Sequence, residues 1–215
     1  LYPDLQQVPN KNFMEGGMTK QLEYFFDFVS PYSYVAHTAV KQTIERSGAE
    51  LVVRPMFLGG VMHATGNRPP GVVPAKRKYL DIDLARACKR YGITMHSNPH
   101  FPMNTRGMTR AAIGLEGDLE KRDRFIETCF NICWNDARGI DPADPETFGA
   151  ALLEAGFDPA EINALASSEE NKAKLKANTA EAIERGAFGA PTFFVGREIF
   201  FGHDRLDYVE EALSA

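Results

Sequence analysis

The sequence predicts an α/β chain in which a strand–helix–strand half and a strand–strand–helix half flank a long helical block. Three observations carry that prediction. Short aromatic or β-branched runs fall near the two ends, at residues 21–28, 50–56, 192–195 and 199–201. Between residues 74 and 185 apolar positions recur at helical spacing, with prolines that start helices and glycines that stop them. The 215 residues, 44% hydrophobic and 25% charged, fit one domain or a domain with a large insertion, and suffice to bury a core.

Residues 21–28 (QLEYFFDF) are short and aromatic-rich, and read as a buried strand. Ser30-Pro31 then opens a helix to about Arg46. Proline suits a first turn, where a missing N–H costs nothing, and Gly48 stops the helix. Residues 50–56 (ELVVRPM) form the second strand, parallel to the first through a right-handed crossover. A Gly/Pro-rich loop spans 59–74 and contains TGNRPPG. Helices follow at 74–91, 109–116, 119–135, 145–155, 159–166 and 169–185. The DPADP and FDP steps mark starts, and Gly92, Gly156 and Gly186 mark stops. TFFV at 192–195 restores strand character, a turn over 196–198 leads to 199–201, and the pair reads as a hairpin. A last helix runs from about Arg205 to Leu213, and there is no internal repeat.

A net charge of −5 gives no electrostatic reason to expect nucleic acid or an anionic membrane as partner. Cys88, Cys129 and Cys133 do not make an even disulfide framework and read as reduced thiols of a cytoplasmic protein. No transmembrane run or signal peptide is visible. Residues 1–17 lack any period and precede Met18, so they read as an appended leader or a disordered tail, with Met18 as the natural start.

Ser30 stands at the front of the first helix, where it reads as an N-cap and as a hydroxyl able to donate to an anion at a helix N-terminus. Pro191 has an accessible cis form, against a trans proline starting a strand. Asp204 reads as an N-cap of the last helix or as a carboxylate for an ammonium group. His203 is equally a solvated loop residue or a ligand contact, and Lys76 a surface lysine or a cation for a carboxylate. Tyr32 is a candidate pocket residue beside Ser30. Trp134 and Phe130 line an acceptor pocket or pack the core, and Cys129/Cys133, four apart, read as packing rather than metal ligands.

Three motifs in this order, FDFVSPYSY ending at Tyr34, GAFGAPTFFV ending at Val195 and FGHDRL ending at Leu206, accompany TGNRPPG around the helical block. Together they resemble the kappa-class glutathione transferases and 2-hydroxychromene-2-carboxylate isomerases, of the DsbA-like branch of the thioredoxin superfamily. The resemblance runs from about Lys20 to Ala215. It implies a thioredoxin-like fold (βαβ…ββα) in residues 18–76 and 185–215, interrupted by a large all-helical insertion at 77–184, with the site in the crevice between them.

The same resemblance implies glutathione as cofactor. Ser30 matches the serine that hydrogen-bonds the glutathione sulfur, and replaces the cysteine of redox relatives, which removes dithiol exchange. Asn67 and Lys76 match the asparagine and lysine that reach the glutathione and the substrate side. Ala190, before Pro191, would pair its backbone with the cysteinyl unit. His203-Asp204 occupies the pair that binds the γ-glutamyl end, His203 departing from the usual Ser or Asn. The expected activity is an isomerase of aromatic catabolism that opens a 2-hydroxychromene-2-carboxylate through a transient glutathione adduct. The alternatives are a kappa-type transferase and a non-catalytic binding module. The expected partners are a small aromatic carboxylate and a second copy in a homodimer.

Overall fold

The structure, a computed structural model, describes residues 20–215. The leader or tail read from residues 1–17, and the start at Met18, lie outside the described residues.

Alternating large apolar side chains on β1 (Gln21–Phe26) give that strand two buried faces. It therefore takes a central place in a four-stranded sheet of order β2-β1-β3-β4. β2 (Glu50–Pro55) pairs with it in parallel across α1 (Pro31–Ser47), while β3 (Thr192–Val195) and β4 (Glu198–Phe201) follow antiparallel. This is the thioredoxin-like α/β arrangement expected from the sequence. The hairpin turn is tighter than expected: Val195 already pairs with Glu198, with Gly196 at φ +57°.

Between β2 and β3 the described chain is helical. It runs through α2 (Leu58–Thr65), α3 (Pro74–Tyr91), α4 (Arg106–Gly114) and α5 (Leu119–Trp134), then α6 (Pro145–Glu154), α7 (Pro159–Ser167) and α8 (Glu169–Glu184). α9 (Leu206–Ser214) closes the chain behind a short turn of 3₁₀ helix at His203–Arg205. The boundary expected between residues 76 and 77 falls inside α3.

The Gly/Pro-rich loop expected at 59–74 is shorter than its composition implies, because α2 occupies its first part. Leu58 and Val61 bury beside Ala182 of α8, so tertiary packing overrides the poor helix propensity of Gly59-Gly60. Those glycines permit a close approach: a Cβ at either would lie 2.9 Å from the Phe57 ring. The helix also receives a remote cap, as the Asp27 carboxylate accepts from the Leu58 N–H at 2.9 Å. α4 starts at Arg106, one turn before the expected residue 109.

One aromatic column ties the sheet to the helical block. Phe193 of β3 stacks on Tyr24 (5.1 Å between ring centroids), Tyr24 on Phe26 (5.1 Å), and Phe26 meets Phe130 of α5 (5.3 Å). Phe28 closes the group at 4.9 Å from Phe130. On the opposite sheet face Phe25 and Phe194 pack edge to face, with the Arg185 guanidinium 3.8 Å above the Phe194 ring. Glu23 of β1 binds Arg185 at 2.7 Å and Arg54 of β2 at 3.2 Å, and Arg54 also pairs with Glu181 of α8.

Candidate functional site

The site grows from the N-terminus of α1. Ser30 is the N-cap, with extended backbone and Pro31 as the first helical residue. Its Oγ accepts from the Ser33 N–H at 3.1 Å and donates to the Ala190 carbonyl at 3.1 Å. The cap reading and the site reading of Ser30 thus describe one hydroxyl. Pro31 has no N–H, and the Ser33 and Tyr34 amides turn back to the Ser30 carbonyl. The Tyr32 amide is left as a first-turn donor with no acceptor among the described residues.

The Ala190–Pro191 bond is cis, and the loop around it is held from several sides. Asn67 Nδ2 donates to the Phe188 carbonyl at 2.7 Å, and the Gly202 N–H donates to the Pro191 carbonyl at 3.0 Å. A Cβ at Gly189 would lie 2.7 Å from the Phe201 ring, so only glycine fits there without displacing that ring. Asn67, Ala190, Pro191 and Ser30 therefore form one connected group. Asn67 reaches it through backbone and stays exposed.

His203 is buried and stacks on Tyr32, with ring centroids 5.2 Å apart and planes 12° from parallel. Burial pushes its pKa down, partly offset by Asp204 and Asp83. The solvated-loop reading of His203 is therefore wrong for this fold. Tyr32 donates to Asp83 Oδ2 at 2.8 Å, and burial with that contact pushes its phenol well above the ordinary value. Asp204 is exposed, and its carboxylate lies over Gly202, where a Cβ would meet Oδ1 at 2.5 Å. The N-cap reading of Asp204 is not realised: α9 begins at Leu206 without a side-chain cap. The Asp204 carboxylate instead pairs with Arg205 at 3.0 Å.

Beside Pro31 opens a cavity of about 630 Å³ between α3 and the end of α5. Its walls include Pro31, Leu80, Leu84, Phe101 and Trp134, with Arg77 among them. Trp134 is packed in the core and also lines the cavity: the indole donates to the Phe28 carbonyl at 2.7 Å, and its ring lies 5.6 Å from Phe101. Phe130 belongs to the core alone. Tyr32 and Lys76 are not among the lining residues; Lys76 is exposed in the first turn of α3.

Asp27 is a residue that sequence reasoning missed. Fully enclosed, it accepts from Thr105 Oγ1 at 2.6 Å, the Leu58 N–H at 2.9 Å and the Val29 N–H at 3.2 Å. Burial raises its pKa against those hydrogen bonds. A carboxylate inside an aromatic strand run was the available signal, since such a group must find donors. Cys129 and Cys133 are buried, and Cys133 Sγ lies 3.9 Å from Met108 Sδ. Burial raises both thiols. Among the described residues no cluster of three or more His, Cys, Asp or Glu is placed to hold a metal. No helix of the described chain is long and apolar enough to cross a membrane.

The family model of the DSBA-like thioredoxin domain matches residues 21–214. The chain belongs to that family. Within the DSBA-like fold it stands with the 2-hydroxychromene-2-carboxylate isomerases and kappa-class glutathione transferases. It is 30% identical over 199 residues to the 2-hydroxychromene-2-carboxylate isomerase of Sphingobium xenophagum, covering 91% of this chain and 99% of that one. It is 30% identical over 207 residues to glutathione S-transferase kappa 1 of Caenorhabditis elegans, covering 90% of each. A solved 2-hydroxychromene-2-carboxylate isomerase superposes with a TM-score of 0.79 at 28% identity, covering 90% of this DSBA-like chain and 94% of the other.

Proposed function

We propose that this protein is a glutathione-dependent isomerase that converts 2-hydroxychromene-2-carboxylate to a trans-o-hydroxybenzylidenepyruvate-type product. The observation that carries the reading is the Ser30 hydroxyl, closed on Ala190 beside a cis proline and next to an apolar cavity. The isomerase relatives, matched over nearly their full length, support it. The groups around Ser30 fit glutathione: a Tyr32 amide without an acceptor among the described residues, a backbone at Ala190–Pro191, and an exposed carboxylate at Asp204.

When bound, glutathione supplies a thiolate that adds reversibly to a conjugated ring system. Ser30 holds the donor for that charge. Its Oγ–H exchanges the neutral Ala190 carbonyl for an anion, and a charge-assisted bond is roughly twice as strong as a neutral one. The Tyr32 amide and the α1 dipole add about 0.3–1 kcal/mol for negative charge at this end. Asp204 orients an ammonium, and Asn67 fixes the loop that presents Ala190. Trp134 and Phe101 exclude water from the acceptor side.

A kappa-type transferase is the second reading, favoured by the equally long match to the kappa relative. A small aromatic carboxylate as substrate, a homodimer and a cytoplasmic location belong to the same proposal. The test is turnover of 2-hydroxychromene-2-carboxylate with substoichiometric glutathione. Complete conversion with glutathione recovered is expected. Stoichiometric loss of glutathione identifies the transferase, and no calorimetric binding of glutathione overturns both readings.

A further inference from the structure

We infer that Arg77 is the residue that selects an acidic ligand in the cavity beside Pro31, by binding its carboxylate. The inference rests on the proposed function for the nature of that ligand, and moves the anion-binding role from Lys76 to its neighbour. Successive helical residues are about 100° apart around the axis, so Lys76 and Arg77 face different ways. Only Arg77 of the two is on the cavity wall.

Among the described residues three charged side chains line the cavity: Arg77, Asp81 and Lys89, all on α3. Lys89 is in the last turn, where the helix's own carbonyls give the field a negative end. Arg77 lies near the first turn, so its charge and the helix N-terminus attract the same anion. The nearest approach of Asp81 to Arg77 is at Nε, at 3.8 Å. At that distance the contact is an ion pair and not a hydrogen bond, so the guanidinium can still offer a carboxylate the paired N–H geometry that a lysine lacks. A Cβ built on Gly71 would lie 3.8 Å from Arg77 Cδ and 3.9 Å from Nη1, so the 3₁₀ segment runs close beside this side chain. The segment that includes Gly71 also carries Asn67, which is bound to the cis-proline loop. The remaining wall is mostly apolar, with Ser97 the polar exception, and Leu80, Leu84, Phe101 and Trp134 are presented to the body of an aromatic acid.

Trp134 is the single tryptophan of the chain, so its fluorescence reports occupancy of this cavity. Full-length protein without glutathione is titrated with trans-cinnamate and with the neutral trans-cinnamamide. The acid is expected to bind about tenfold tighter at low salt, the size of one charge-assisted pair. Arg77→Met should reduce that preference to within about twofold while leaving the amide's affinity unchanged, since the apolar wall stays in place. Arg77→Lys should keep part of the preference, and Lys89→Met all of it. Equal binding of acid and amide to the wild type, failure of both to bind, or a preference that survives Arg77→Met or vanishes in Lys89→Met overturns the inference. Calorimetry with glutathione on the same proteins separates the two levels. Lost glutathione binding with an intact cinnamate preference overturns the proposed function and leaves the anion-selecting role of Arg77 standing. Retained glutathione binding without the preference does the reverse.

Discussion

Ser30 joins two jobs in one hydroxyl, and removing it should reveal both. Ser30→Ala deletes the N-cap of α1 and leaves the Ala190 carbonyl without its donor. Loss of a cap costs about 1 kcal/mol, and an unpaired buried carbonyl adds about 1–3 kcal/mol. We expect the urea midpoint to fall accordingly and the thiol of bound glutathione to titrate at higher pH, read from thiolate absorbance. Ser30→Thr, which keeps a hydroxyl, should restore most of both. An unchanged thiol titration in Ser30→Ala would remove Ser30 as the thiolate's donor. Much of this residue-scale picture was legible in the sequence, because SPYSY places a hydroxyl and a proline at a helix start. Arg77 and Asp27 were not. The cavity side of Arg77 depends on where neighbouring helices pack, and the donors of Asp27 at Leu58 and Thr105 come from distant segments.

At the scale of elements, glycine did more than punctuate. Gly114 ends α4 where that helix crosses α7 and α8, and a Cβ there would lie 2.4 Å from Asn171 Nδ2 and 2.8 Å from Leu165 Cδ2. Helix propensity alone makes Gly→Ala favourable by about 1 kcal/mol, whereas overpacking costs about 1–3 kcal/mol. Asn171 is itself fixed by a bond from Nδ2 to the Leu165 carbonyl at 2.9 Å, so it does not yield freely. Gly114→Ala should therefore lower stability by about 1–2 kcal/mol in urea denaturation, the packing cost exceeding the propensity gain. Gly107→Ala, whose Cβ would meet Ala166 at an ordinary 3.9 Å, should cost nothing. The sequence distinguished helix stops such as Gly48 and Gly92 well, since both take positive φ just after a periodic run. It misread Gly59-Gly60 as loop for the same reason that it missed the role of Gly114. Close approach is a property of two elements, and a single-segment pattern contains only one of them.

The order of elements was the most legible feature of the whole molecule, because strand-like runs sit at the chain ends and helical periods between them. How the helical block joins the sheet was not. Phe130 of α5 touches Phe26, Phe28, Tyr34 and His37, at ring-centroid distances of 4.9 to 6.1 Å, so the helical block and the sheet share one continuous core. Glu23, Arg54, Arg185 and Glu181 couple the opposite sheet face to α8. A core without a seam gives neither part a way to unfold alone, even though the chain exceeds the usual size for two-state behaviour. Trp134 fluorescence, reporting α5, and far-ultraviolet circular dichroism, reporting the whole, should then give coincident urea transitions. Phe130→Ala should move both together by about 3–5 kcal/mol, the cost of emptying a large buried aromatic site. An earlier fluorescence transition would mean that residues 77–184 fold as a separate unit. In that case the junction holding Trp134 against Phe28 would open before the sheet, and the cavity would be the first part of the site to lose its wall.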